Sequence, residues 1–217
     1  MGHDLPSPDT VGPRPTLATP RGCSARHRCR RAPPQHEREE LGIADSVHKA
    51  RAVQQACEAL GVHTRPAKVS GVWVVPLFSW YHASWDRDPA PVTGPPIEQC
   101  MTDFALCRWP SAPGSAVDAD GMAAARLLDS LNAPHVDEAV SAIDCERREG
   151  QSPVVVSMSH FLPLQELLPE RRVLSLPSLP RACGSDLLLR RVLRLQPTAH
   201  VFGHTHFEWD ATICGTR

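Results

Sequence analysis

The sequence lacks several features that would each assign a class of protein. Its 23 basic and 24 acidic side chains give a formal charge of −1, so no charge excess would attract nucleic acid or an acidic membrane surface. No apolar run approaches the roughly 20 residues of a transmembrane helix. None of the eight cysteines forms a C-x-x-C pair, and a chain of 217 residues needs no disulfide framework. We expect a soluble, intracellular protein with no nucleic-acid or membrane partner, in a compartment that the sequence leaves open.

Aromatic residues are absent from the first part of the chain. Residues 1–40 contain seven prolines and no aromatic side chain, whereas all eleven aromatic residues lie at Trp73 or later. Such a segment cannot bury enough apolar surface to offset the entropy lost on ordering. We therefore predict a disordered Pro/Arg-rich tail over residues 1–40. Its arginines, from Arg21 to Arg31, are weak signs of a transit peptide or of a site for an acidic partner.

The rest of the chain, residues 43–217, alternates between helical periodicity and short apolar strands. Helices are predicted after Asp45 and Ser185, and as two segments separated by a break at Pro134. The predicted strands are Val72–Phe78, Pro153–Met158, Ala199–Phe202 and Trp209–Ile213. Short apolar strands separated by helices predict a layered α/β domain.

Several histidines follow the carboxyl ends of these strands. His160 follows one predicted strand, and His204 and His206 follow the next. This edge of a layered α/β sheet is where ligands bind, and neutral imidazoles suit transition metals. In an extended segment, His204 and His206 would face the same side. The spacing alone leaves a metal site and a chance clustering open, whereas His200, inside a strand, is expected to be a hydrogen-bonded core imidazole.

The segment Val201-Phe202-Gly203-His204-Thr205-His206 resembles the G-H-x-H signature of the calcineurin-like metallophosphoesterases. The likeness extends from about residue 43 to residue 217 and is strongest for an uncharacterised branch found in plants, algae and protists. The other matching segments, in compatible order, are Leu77-Phe78-Ser79-Trp80-Tyr81-His82, Ser159-His160-Phe161-Leu162-Pro163, Gln165-Glu166-Leu167 and Gly184-Ser185-Asp186.

This resemblance implies a fold, a reaction and a cofactor. The fold would be an incomplete four-layer α/β/β/α metallophosphoesterase sandwich, here the C-terminal portion of the family domain. The reaction would be hydrolysis of a phosphoester by two divalent transition metals, Mn, Fe or Zn. By this likeness, His160 and His204 would bind one metal and His206 the other. The substrate, a phosphoprotein, a nucleotide or a small phosphomonoester, is left open, as are protein partners.

The sequence also departs from the family pattern. It contains no D-x-H, G-D-x-x-D or G-N-H-D motif, so the bridging carboxylate and the family's catalytic histidine are missing. Without that carboxylate, two adjacent cations would repel each other. A single zinc bound by the same three histidines stays open. The acids Asp86, Asp88 and Asp210 match no motif and are expected to be solvated loop residues.

Two readings of the function follow. The first is a metal-dependent phosphoester hydrolase that is truncated, by a partial gene product or a misplaced start, and whose activity in this form is doubtful. The alternative is a non-catalytic descendant that binds a metal or phosphate. His82 follows an aromatic strand end and is a candidate for the substrate side of the cleft, against the alternative of a packed or solvated loop histidine.

Overall fold

A computed structural model describes residues 42–88, 92–110 and 120–217. The tail expected over residues 1–40 lies outside these ranges, as does its arginine run. The helices are α1 (Ser46–Ala59), α2 (Ile97–Cys100), α3 (Asp103–Leu106), α4 (Met122–Arg148) and α5 (Asp186–Leu195). The strands are β1 (Ala67–Val69), β2 (Val72–Pro76), β3 (Val154–Met158) and β4 (Ala199–Val201). Short 3-10 turns cover Ala83–Trp85, Gln165–Leu167, Arg171–Val173 and Leu179–Ala182.

The strands form one sheet in the order β1-β2-β3-β4. A two-residue turn, Ser70-Gly71, joins the antiparallel pair β1 and β2, and both turn residues have positive φ, as such hairpins require. β2, β3 and β4 are parallel, so their carboxyl ends lie at the same edge of the sheet. This is the mixed α/β architecture that the alternating pattern predicts. The described residues contain this one sheet, and the four-layer sandwich stays an expectation from the resemblance.

One hydrophobic core joins the sheet to α4 and α5. The strand residues supply branched aliphatic side chains, which suit a pleated, buried surface, and the two helices supply one apolar stripe each. Its buried members are Val75, Leu77, Val136, Val140, Ile143, Val155, Leu188, Val192 and Leu195. Burying each such side chain contributes about 1.5–3 kcal/mol, so this core fixes the strands whose ends form the site.

Helix α4 corrects the expected break at Pro134. The helix is continuous for 27 residues with Pro134 inside it. Proline removes one backbone donor, but buried side chains lie on both sides of it, from Ala124 to Ile143. The Asn132 amide also exchanges two hydrogen bonds of 2.8 Å with the backbone of Phe78. Tertiary packing therefore overrides the helix-breaking tendency.

The expected strand over Trp209–Ile213 is also wrong. Of that segment, only Ile213 pairs, in a single bridge with Thr216. The edge of β4 is paired instead by Arg217, whose carbonyl accepts from the His200 N–H at 2.7 Å and whose N–H donates to the Thr198 carbonyl. Pattern alone cannot tell which segment reaches a sheet edge. In the part of the chain described here, no helix combines the length and apolarity needed to cross a membrane.

Candidate functional site

His160 and His204 meet at the carboxyl edge of β3 and β4. His204 Nδ1 lies 3.1 Å from His160 Nε2, and the two rings are nearly perpendicular. The backbone sets this approach, because the Gly203 N–H donates to the His160 carbonyl at 3.1 Å. His160 is exposed and His204 is half-buried. The sequence placed both histidines at this edge, and the parallel register brings them into contact.

The segment that carries His204 and His206 is a tight turn, which corrects the expectation of an extended chain. Both residues have positive φ, 71° and 59°, and the Thr205 N–H donates to the Gly203 carbonyl at 2.9 Å. The alternation of side chains along a strand therefore does not apply. His206 is exposed. Its electrostatic interaction with His204 helps to lower the pKa of His204.

Aromatic rings shield one side of the histidine pair. The Phe161 ring lies 4.5 Å from the His204 ring and 4.9 Å from that of His160. Tyr81 and Trp80 pack edge-on against Phe161 at 5.2 and 5.3 Å. Burial, together with the nearby His160, lowers the pKa of His204 to about 4. The ring is therefore neutral at pH 7, the form in which imidazole binds metals.

His204 has a hydrogen-bonding need that the described residues do not meet. Its Nδ1 faces His160, and its Nε2 is buried with no partner of good hydrogen-bond geometry, although the Ala182 backbone interacts with the ring and raises its pKa. Leaving a buried polar atom unpaired costs about 1–3 kcal/mol. Because buried polar groups are nearly always paired, this nitrogen sets His204 apart from His200, whose two ring nitrogens both have partners.

The pair fits part of the coordination sphere of one cation. Two nitrogen ligands of a tetrahedral zinc lie roughly 3.3 Å apart, given Zn–N distances of about 2.0 Å, against the 3.1 Å between His160 Nε2 and His204 Nδ1. Across residues 42–88, 92–110 and 120–217, however, no group of three or more His, Cys, Asp or Glu side chains could hold a metal. These residues therefore fit one cation in part, and do not fit two.

Asp103 is an acid near the pair that sequence reasoning missed. Burial raises the pKa of this carboxyl, and the electrostatic attraction of His160 partly opposes that shift. Asp103 begins the short helix α3, whose next residue, Phe104, packs on Tyr81 with ring centroids 5.9 Å apart. No sequence motif marks it, because its proximity to His160 depends on how distant segments of the chain pack together.

His82 is buried, with 2% of its surface exposed. Its Nδ1 lies 3.0 Å from Ser84 Oγ, and its Nε2 accepts from the Asp186 N–H at 3.4 Å. Ser84 Oγ in turn donates to Asp120 at 2.8 Å. Burial lowers the pKa of His82. Asp120 lies 36 residues beyond Ser84, so nothing local in the sequence could reveal this cluster.

His200 is the hydrogen-bonded core imidazole that its strand position predicts. Its Nδ1 lies 2.8 Å from Ser157 Oγ, and its Nε2 lies 3.1 Å from Ser159 Oγ. Burial lowers its pKa to about 4. Both ring nitrogens are satisfied, so His200 has no free lone pair for a metal and is a structural residue.

The acids without a motif differ from one another. Asp86 is not a solvated loop residue: its side chain is only 4% exposed and pairs with Arg171 at 2.6 Å. Asp88 accepts from the same guanidinium at 2.9 Å. Asp210 is exposed, as expected, and pairs with Arg217. The sequence could not reveal the pairing with Arg171, which lies 85 residues from Asp86.

Comparison with known proteins places the chain in a class of fold. Parallel strands flanked by helices define a mixed α/β fold. The chain is similar to the crystal structure of phosphopantetheinyl hydrolase from Mycobacterium tuberculosis, with a TM-score of 0.51 and 18% sequence identity. The match covers 79% of this chain and 58% of that one, so this chain spans little more than half of that protein's length.

At this level of identity the likeness concerns the fold alone. No protein-family model matches the sequence, and no curated protein matches it.

Proposed function

We propose that this chain is a metal-dependent phosphoester hydrolase domain in which His160 and His204 are nitrogen ligands of a divalent transition metal. The observation that carries the proposal is the 3.1 Å approach of His160 Nε2 and His204 Nδ1, close to the separation of two nitrogen ligands of one cation. The G-H-x-H resemblance and the likeness in fold to a protein named as a hydrolase support the same reaction class.

Some residues around the pair would bind the metal ion, and others would shield it from water. A bound Mn, Fe or Zn ion would supply Lewis-acid stabilisation of phosphoryl charge and a nucleophilic water. Neutral His204 donates a lone pair, and the Phe161 ring excludes water from its inner side. His160 is exposed, which leaves the outer side open to a phosphoester. The resemblance assigns His206 to a second metal, and this stays a prediction, because the described residues do not fit two cations.

A non-catalytic metal- or phosphate-binding role is the second candidate. The observation that favours it is the lack of a third ligand within reach of the pair among the described residues. A catalytic metal site usually has three protein ligands and an open position. Two imidazoles alone would bind a cation weakly and would leave its charge largely uncompensated.

The experiment combines a metal-binding and an activity measurement on the full chain. Calorimetry measures the binding of Zn²⁺ or Mn²⁺ to the chain. A separate assay measures hydrolysis of an aryl phosphate in the presence of the same ions. We expect binding and turnover, both lost in His204→Ala and both retained in His63→Ala, a matched substitution at an exposed histidine.

The outcomes separate the two candidates. Metal binding without turnover would leave the non-catalytic role. An absence of both would overturn both proposals, as would turnover that survives His204→Ala. Contact of His82 with substrate stays a prediction, and an unchanged KM in a His82→Ala variant of a complete homologue would contradict it.

A further inference from the structure

Three separate segments meet at His82. The His82 N–H donates to the Gly184 carbonyl at 3.3 Å, which ties the residue to the chain just before α5. The Ala83 N–H donates to the Asp120 carbonyl at 2.7 Å, next to the start of α4. The imidazole ring and Ser84 add the contacts described above, and Arg87 pairs with Asp186 at 2.5 Å.

The hydrogen bonds of the ring define its protonation state. Nε2 accepts from the Asp186 N–H, so this nitrogen carries a lone pair. The proton of the neutral ring is then on Nδ1, which donates to Ser84 Oγ. The Ser84 hydroxyl donates a hydrogen bond to the Asp120 carboxylate. The bonds form one directed chain, from the backbone of α5 to the carboxylate before α4, and it requires a neutral imidazole.

We propose that neutral His82 is a proton-sensitive latch that holds the 82–85 turn, the start of α4 and the first turn of α5 together. Uptake of a solvent proton on Nε2 would place an N–H against the Asp186 N–H, at the positive end of α5. That hydrogen bond must then break, and the ring must leave its buried position to be solvated. No covalent bond changes in this step.

The charged groups that face the ring act in both directions. Asp120 and Asp186 favour the protonated ring, whereas Arg190 on α5 and Arg87 beyond the turn oppose it. Burial is the largest influence and favours the neutral ring, so the pKa of His82 lies below its usual value. The latch is therefore closed at neutral pH and is released as the pH falls.

Release would reach the loop that follows His160. Gly184 forms a bridge with Leu162, and the Leu162 N–H donates to the Cys183 carbonyl at 2.9 Å. Trp85, on the same turn as Ser84, is 2% exposed and belongs to the same hydrophobic cluster as Leu162 and Cys183. Opening at His82 would thus loosen a segment two residues from the candidate site, without any titration of the site's own histidines.

The test measures the thermal unfolding midpoint of the full chain between pH 7.5 and pH 5. In His82→Gln, the amide oxygen can accept from the Asp186 N–H and does not titrate. We expect acidification to lower the wild-type midpoint by about 2–4 °C more than that of His82→Gln. His63→Gln, at an exposed position, is the matched control and should follow the wild type. Equal pH dependence in the wild type and His82→Gln would overturn the latch.

A spectroscopic measurement keeps the proposal testable if His82→Gln does not fold. The ¹⁵N shifts of the wild-type His82 ring should show the Nδ1–H tautomer at pH 7.5, titrating at a lower pH than the usual histidine value. Asp120→Asn, which removes a charge that favours protonation, should move this titration to still lower pH. An Nε2–H tautomer, or a titration unmoved by Asp120→Asn, would contradict the proposal.

Discussion

Two sets of histidines in this chain differ in how their ring nitrogens are satisfied. His82 and His200 each have a protein partner on both nitrogens. In the His160–His204 pair, the rings face each other, and Nε2 of His204 is buried with no partner. The same side chain is thus structural in one region and incomplete in the other.

This difference teaches more than burial does. Burial lowers the pKa of His82, His200 and His204 alike, so a shifted pKa does not identify the ligand-binding residue. What distinguishes His204 is its unpaired Nε2, because buried polar groups are nearly always paired. The predictions below test whether the two regions respond as this distinction requires.

The largest expected change in stability is at Gly184, which lies close to the partnered histidine His82. A Cβ at this position would meet the Trp85 ring at 2.3 Å and the Leu162 carbonyl at 2.5 Å. Both neighbours are buried and cannot move without disturbing the core, so Gly184→Ala should lower the free energy of unfolding by about 3 kcal/mol or more. Urea unfolding measures this change.

Gly150→Ala is the control for that substitution. Its added Cβ would meet nothing within 4 Å, although its φ of 81° carries a backbone cost. We expect a loss of only about 1 kcal/mol there. Equal losses at both glycines would show that the packing around Gly184 is looser than its contacts indicate.

A smaller effect is expected at His200. His200→Ala would leave Ser157, which is fully buried, without its partner, and should cost about 2–3 kcal/mol at pH 7. Because burial lowers the pKa of folded His200 to about 4, the unfolded chain takes up the proton first as the pH falls below about 6.5. The stability linked to neutral His200 is therefore present above that pH and is lost towards pH 4.

Unfolding measured at pH 7 and pH 4.5 checks this sign. The difference in stability between the wild type and His200→Ala should shrink at the lower pH. A difference that is constant or grows on acidification would show that His200 is not held neutral, and would remove the contrast with His204.

The smallest change in stability is expected at His204. Removing a ring with one unpaired nitrogen gives up packing but also an unmet hydrogen bond, so His204→Ala should lie within about 1 kcal/mol of the wild type without metal. With Zn²⁺ at about 100 times its Kd, the wild type should gain about 2.7 kcal/mol and the variant nothing. Thermal unfolding with and without Zn²⁺ distinguishes the two, and a cost at His204 as large as that at His200 would indicate a purely structural ring.

The sequence predicted the helices and strands that local patterns specify. It missed the contacts between residues far apart in the chain. The caps at Asp45 and Ser185 are confirmed, since each side chain accepts from the backbone of its helix. The break at Pro134 was wrong because buried contacts with distant strands stabilise α4. The site shows the same division, since strand ends place His160 and His204 together, whereas pairing of Asp86 with Arg171 depends on residues far apart in the chain.

The positive φ values of His204 and His206 have a consequence for engineering. A side chain in the left-handed region costs roughly 1–2 kcal/mol relative to glycine, so a redesign guided by thermostability alone would replace both residues with glycine. Such a variant would tolerate higher temperature but would lose both imidazoles. A redesign should therefore keep histidine at these two positions, whatever the gain in stability.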